Sequence, residues 1–133
     1  AALINLQLKH ISNTTIENNS IAEKYISKLN HIPEIKFVHK LANSVSTYHK
    51  FVILANQRDE LKKYLMQNGI ETRIHYSPLL HEQKLLNNYK YQANDLSVSK
   101  QIKQKVISLP TYPGLKNDEI DYICNCILKF YKL

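Results

Sequence analysis

The run TYHKFVIL, residues 47–54, constrains this chain most. Its last residues, Phe51, Val52, Ile53 and Leu54, are apolar in succession, enough for a strand there to be buried on both faces at its end. With 133 residues and 44% hydrophobic content there is material for one domain with a modest core. Helices packed on a sheet are the cover such a chain can supply. The pattern around the run predicts them. EIKFVHKL alternates Ile35 and Phe37 with Lys36 and Val38, which predicts a short strand. After Leu54, Asn56 is the expected N-cap of a helix, with Asp59 at its third position and Leu61, Tyr64 and Leu65 facing inward. Gly69 falls where a left-handed C-terminal cap belongs. Residues 70–76 then alternate again, and residues 78–95 are polar, predicting a loop with one or two helical turns. Residues 96–105 read as a helix, VISLP as a buried strand, TYPGL as a turn, and residues after Asn117 as a last helix with Ile120, Ile123, Ile127 and Phe130 inside. The expected class is α/β, of α+β-like organisation: a small, mostly antiparallel sheet packed by helices.

The first 30 residues contain neither glycine nor proline. Ile4, Leu8, Ile11, Ala22, Tyr25 and Leu29 fit one helical face, and the polar stretch NTTIENN is where a bend is expected. The start, Ala-Ala-Leu-Ile, offers no N-cap for the first free N–H groups and no initiator methionine. The expectation is a chain cut within a helix. Residues 1–30 would then be a long helix continuing from more of the protein upstream, and residues 31–133 the domain that follows it.

Several function classes are excluded. With 2 glycines there is no Gly-rich phosphate loop. No stretch approaches the roughly 20 apolar residues of a membrane helix, and AALINLQLKH is not a signal peptide. Cys124 and Cys126 are two apart and point about 200° from each other on a helix. They are expected to be free, with at least one packed, and zinc would want other spacings and more ligands. The expected compartment is the cytoplasm. The formal charge is +7, carried by lysines spread along the chain, which predicts a solvated surface more than a nucleic-acid face.

GIETRIHYSPLLHEQ, residues 69–83, is the stretch with chemistry in it. Alternation puts Arg73 and His75 on one side of a strand and Tyr76 on the other, with His81 following. Arginine and tyrosine donors beside a histidine suit phosphate or carboxylate oxygens. A solvent-exposed edge arginine and a packed tyrosine would give the same pattern. There is no GxSxG elbow and no third metal ligand near His75 and His81.

Four stretches together resemble the C-terminal part of the DegT/DnrJ/StrS family of nucleotide-sugar aminotransferases, fold type I enzymes that use pyridoxal phosphate. AALINLQLKHI is similar to the family's QAA-x-L-x-x-x-L-x-x-L helix. YHKFVILANQRDELKKYLMQNGIETRIHYSPLLHEQ is similar to Y-H-x-F-V-I … R-D-x-L-x-x-x-L-x-x-x-G-I-x-T-x-I-H-Y-x-x-P-L-H-x-Q. VISLPTYPGLKNDEIDYI is similar to L-S-L-P-x-Y-P-x-L-x-x-x-E-I-x-x-I, and NDLSVSKQ is an echo of an F-P-x-A-E segment. The likeness spans essentially the whole chain.

The resemblance implies the C-terminal small domain of an enzyme roughly three times this length, large beside a usual single domain. Its cofactor, pyridoxal 5'-phosphate, and its Schiff-base lysine would belong to the upstream domain. This chain alone would therefore bind no cofactor and be inactive. The parent would move an amino group, from glutamate as usual donor, to a nucleotide-linked keto-sugar in surface-glycan synthesis. It would be a homodimer, with no nucleic-acid or membrane partner. By the same likeness His75 and Tyr76 of I-H-Y and His81 of P-L-H face the nucleotide-sugar. Arg73 falls at a variable position of the motif and rests on its chemistry alone. Alternatives are a pyridoxal-phosphate sugar dehydratase of the same family and a stand-alone basic nucleic-acid-binding α/β module. The sequence departs from the family pattern at Ser77, Leu79 and Lys100.

Overall fold

A computed structural model describes residues 2–38, 41–86 and 96–132. The elements are α1 (Ala2–Leu8), α2 (Ile11–Leu29), β1 (Ile35–Phe37), β2 (Phe51–Ala55), α3 (Arg58–Gln67), α4 (Ser97–Lys105), β3 (Val106–Leu109) and α5 (Asn117–Phe130). Two 3-10 turns, Leu80–Glu82 and Lys84–Leu86, follow α3. They match the helical turns expected after Pro78; the rest of that expected loop, residues 87–95, lies outside the described residues.

The three strands form an antiparallel sheet in the order β1-β2-β3. Ile35 sits opposite Ala55, Phe37 opposite Ile53, Ile53 opposite Ile107 and Phe51 opposite Leu109. Because strand side chains alternate, this register puts all seven on one face. That face is the core side. Ile53, Ala55 and Ile107 are completely buried, and so are Tyr25 and Leu29 of α2, Leu61 and Leu65 of α3, and Ile120 and Ile127 of α5. Each such aliphatic side chain contributes about 1.5–3 kcal/mol by leaving water. Tyr25 stacks on Phe51 at 5.0 Å between ring centroids, and its hydroxyl donates to the Pro110 carbonyl at 3.0 Å. α5 packs against α2 on one side and α3 on the other. That double contact is why Cys124 and Cys126 are both buried and both free although they point apart.

The second face of the sheet is covered differently. α4 lies against β2 and buries no residue of its own. Its Gln101, Ile102 and Lys105 share a groove with Lys36 and Leu54. The other end of this face, around Val52 and Ser108, has no helix over it among the described residues.

Four expectations change. The long helix over residues 1–30 is interrupted, but at Lys9 and His10 rather than in NTTIENN. Lys9 and His10 donate to Leu6 and Gln7 three residues back, a tight turn that ends α1. NTTIENN stays helical because its polar side chains have partners: Asn19 Nδ2 donates to the Thr15 and Ser46 carbonyls, and Asn18 Nδ2 to that of Thr47. The strand over residues 70–76 reduces to one bridge, Arg73 with Ser108. Alternation holds, with Ile70 and Thr72 buried and Arg73 exposed. Pairing does not extend, because the Ile70 N–H is committed to the Leu65 carbonyl at the end of α3 and β3 offers only four residues. Gln57, at φ 53°, takes the cap position of α3, while the Asn56 N–H bonds to the Glu34 carbonyl. At α5 the Glu119 carboxylate accepts the Lys116 N–H at 2.8 Å, and Asn117 Oδ1 accepts from Lys24 instead of capping. Gly69 is as expected, at φ +75° with its N–H bonded to Met66.

Candidate functional site

The uncovered end of the second sheet face carries the polar cluster. Register decides its membership. Val52 faces Ser108 and Ser108 faces Arg73, so all three project on the same side. Two residues on from Arg73, His75 shares that side, and its Nδ1 lies 2.8 Å from Ser108 Oγ. Two residues before Val52, Lys50 reaches the same region, and its ammonium donates to the Tyr76 hydroxyl at 3.2 Å. Lys50 Nζ also stands 5.4 Å from the centre of the Tyr76 ring, and the His75 ring meets Tyr76 edge-on at 5.1 Å. Arg73 is paired with Glu71, both well exposed.

Between these groups is an open cleft of about 220 Å³. His49, Lys50, Glu71, Arg73, His75 and Ser108 line it, and Leu109, Pro110 and Thr111 close one end. Tyr76, 69% exposed, stands at its rim. Partial burial, and then the positive charges of Lys50 and Arg73 with His49 nearby, hold the His75 imidazole below its ordinary pKa. At neutral pH it is therefore an uncharged hydrogen-bonding group aimed at Ser108. The cleft can offer an anion the Lys50 ammonium, the Arg73 guanidinium and hydroxyl or imidazole donors.

Of the expected site residues, the structure brings Arg73, His75 and Tyr76 together. It places His81 one turn onward, on Leu80–Glu82, outside the cleft lining. That turn is tied to α4 through Glu82, which accepts from Lys103 at 2.6 Å and from the Leu79 N–H at 2.8 Å. The Lys103 hydrogen bond, with the Leu79 one behind it, holds the Glu82 carboxyl below the usual range. Residue-by-residue reading missed Lys50, His49 and Ser108. The signal for Ser108 was a lone hydroxyl inside the apolar strand VISL; for Lys50 it was strand parity with Val52.

The chain matches the sequence model of the DegT/DnrJ/EryC1/StrS aminotransferase family over residues 1–128. The chain belongs to that family. Among its relatives it is 31% identical to GDP-perosamine synthase of Vibrio cholerae, over 98% of this chain and 36% of that protein. It is 25% identical to the dTDP-3-amino-3,6-dideoxy-alpha-D-galactopyranose transaminase of Aneurinibacillus thermoaerophilus, over 98% of this chain and 35% of that protein. A family aminotransferase from Brucella abortus superposes with a TM-score of 0.86 at 27% identity, over 95% of this chain and 33% of that one. DesV of S. venezuelae shares the fold at a TM-score of 0.92, covering 99% of this chain and 36% of that one. The chain thus spans about a third of the length of the relatives it matches. The α/β class with its antiparallel sheet is the fold of this family's aminotransferases.

Membership implies that the full-length enzyme depends on pyridoxal phosphate. The described residues do not fit the whole of that group. A lysine that forms an imine is activated by burial or by a cationic neighbour in a dry pocket, and none of the described lysines is buried. No group of three or more histidine, cysteine or acidic side chains suited to a metal ion occurs among the described residues either. No described helix is long and apolar enough to cross a membrane.

Proposed function

We propose that this chain is the C-terminal part of an aminotransferase that passes an amino group, from glutamate as donor, to a nucleotide-linked keto-sugar. Residues 1–30 are its link to a larger domain, and residues 31–133 its small domain. The observation that carries this reading is the cleft on the uncovered sheet face. It gathers Lys50, Arg73, His75 and Ser108, with Tyr76 at the rim, at the place where the I-H-Y motif falls. Arg73 and Tyr76 bind the polar groups of the nucleotide-sugar, His75 orients them as a neutral donor or acceptor, and His81 extends the wall beyond the cleft. Pyridoxal phosphate supplies the electron sink when bound, and residues upstream hold it and provide its lysine. The full-length enzyme is a homodimer, and the apolar side chains exposed on α1 meet the rest of it.

The reading is tested spectroscopically. Mixed with pyridoxal phosphate, the purified 133-residue chain should develop no site-specific lysine-linked absorbance and no transaminase activity. A stoichiometric chromophore on one lysine of this chain would overturn the assignment. In the full-length enzyme, Tyr76→Phe should raise KM for the nucleotide-sugar by about tenfold, the loss of roughly 1.4 kcal/mol of binding.

A further inference from the structure

Lys50 is a cation of this cleft that no carboxylate among the described residues neutralises. Among the described residues four ion pairs join Lys28, Arg58, Arg73 and Lys103 to carboxylates, and Lys50 is in none of them. Its partners are the His49 ring nitrogen at 3.4 Å and the Tyr76 hydroxyl at 3.2 Å. Neither is an anion. Arg73, by contrast, is already paired with Glu71.

Lys50 is also held in place. It is half-buried, and the sheet register puts its backbone two residues from Val52, across from Ser108. The Tyr76 hydroxyl holds its ammonium at 3.2 Å, at the edge of the tyrosine ring and 5.4 Å from the ring centre. A lysine fixed by a tyrosine hydroxyl, which is itself a second donor, and with no counter-ion among the described residues, is arranged to meet an anionic oxygen from outside. An ammonium recognises phosphate as a point charge, needing no fixed fork geometry.

We infer that Lys50 is a substrate-binding residue of this cleft, contacting the diphosphate of the nucleotide-sugar, with the Tyr76 hydroxyl as the second donor to the same group. The inference rests on the nucleotide-sugar reading above and adds to it the residue that meets the ligand's charge. Tyr76 then has two tasks on one group: its hydroxyl accepts from the Lys50 ammonium and donates its own proton to the ligand. The charge of Arg73 is already shared with Glu71, so Lys50 brings the larger uncompensated charge of the two.

The experiment uses the full-length enzyme and three probes, UDP, GDP and dTDP, titrated by calorimetry at low and at moderate salt. Lys50→Met should weaken the best-bound diphosphate by about tenfold or more, while Lys50→Arg, which keeps the charge, should stay within about threefold. The salt dependence of binding should be shallower in Lys50→Met than in the unaltered enzyme, because screening acts on a charge that is gone. Circular dichroism of both variants checks the fold. If Lys50→Met binds within about twofold of the unaltered enzyme while Arg73→Ala or Tyr76→Phe loses about tenfold, the Lys50 inference is wrong and the functional reading stands. If all three variants bind within about twofold, the placement of the nucleotide-sugar in this cleft fails, and the inference with it.

Discussion

At the residue scale, His75 is the titratable group whose surroundings are best defined. Its neighbours are Lys50 and His49 from the segment before β2, Arg73 and Tyr76 from its own segment, and Ser108 from β3, with Glu71 engaged by Arg73. Burial, and then Lys50, Arg73 and His49, lower its pKa from the ordinary 6.5. The sign follows from proton counting: the unfolded chain binds more protons than the folded one between the lowered value and 6.5. The contribution of His75 to stability is therefore complete above pH 6.5 and is lost as pH falls toward the folded-state value. An NMR titration of the chain should give His75 a pKa below 6.5, and Lys50→Met should raise it. A His75 pKa unchanged by Lys50→Met would show that Lys50 does not face the imidazole. The pairing of Arg73 with His75 could be read from the sequence, because two residues apart on extended chain share a side. Lys50 and Ser108 could not be read as partners. They come from segments 58 positions apart, and only strand register sets which residue of one faces which of the other.

At the scale of elements, the helices were more legible than their ends. The 3.6-residue apolar period of α3 and α5 correctly gave Leu61, Leu65, Ile120, Ile123 and Ile127 as inner positions. Caps depend on competition for one or two hydrogen bonds, and there the tertiary partners won: Asn117 went to Lys24, and Asn56 to the Glu34 carbonyl. Gly69 is the exception, since the requirement is local. Its φ of +75° suits glycine alone, while a Cβ there would meet nothing within 4 Å. Gly69→Ala should therefore destabilise the chain by about 1–2 kcal/mol through backbone strain only. Urea denaturation checks this. A loss well above that range would mean a steric cost that the open space around Gly69 does not allow. The predicted strand over residues 70–76 failed as a ladder for a related reason. Alternation reports which face a side chain takes, whereas hydrogen-bonded length depends on how much neighbouring strand is available, and β3 has four residues.

For the whole molecule, the telling feature is an asymmetry of burial. The core between the sheet and α2, α3 and α5 is closed, yet α1 has no buried residue. Leu3, Ile4, Leu6 and Leu8 are 54–78% exposed, and Ile11 and Ile16 continue the apolar row on α2. An apolar surface of this kind marks a contact site. Since α1 buries no residue in this core, Leu3→Lys, Leu6→Lys and Leu8→Lys together should change stability of the 133-residue chain by no more than about 0.5 kcal/mol in urea denaturation. A marked loss of stability would show that α1 belongs to this folding unit and not to a junction.

The fold class, the inner faces of the helices, the left-handed cap at Gly69 and the segment that carries Arg73, His75 and Tyr76 are all written in the order of residues. These follow from local periodicity and backbone preference, which act within a few residues. Contacts between distant segments set where the first helix breaks, that residues 70–76 pair through a single bridge, and that Lys50 and Ser108 complete the cleft. Those outcomes depend on hydrogen bonds and strand register between segments far apart in the chain, where a shift of one residue would send every side chain to the opposite face.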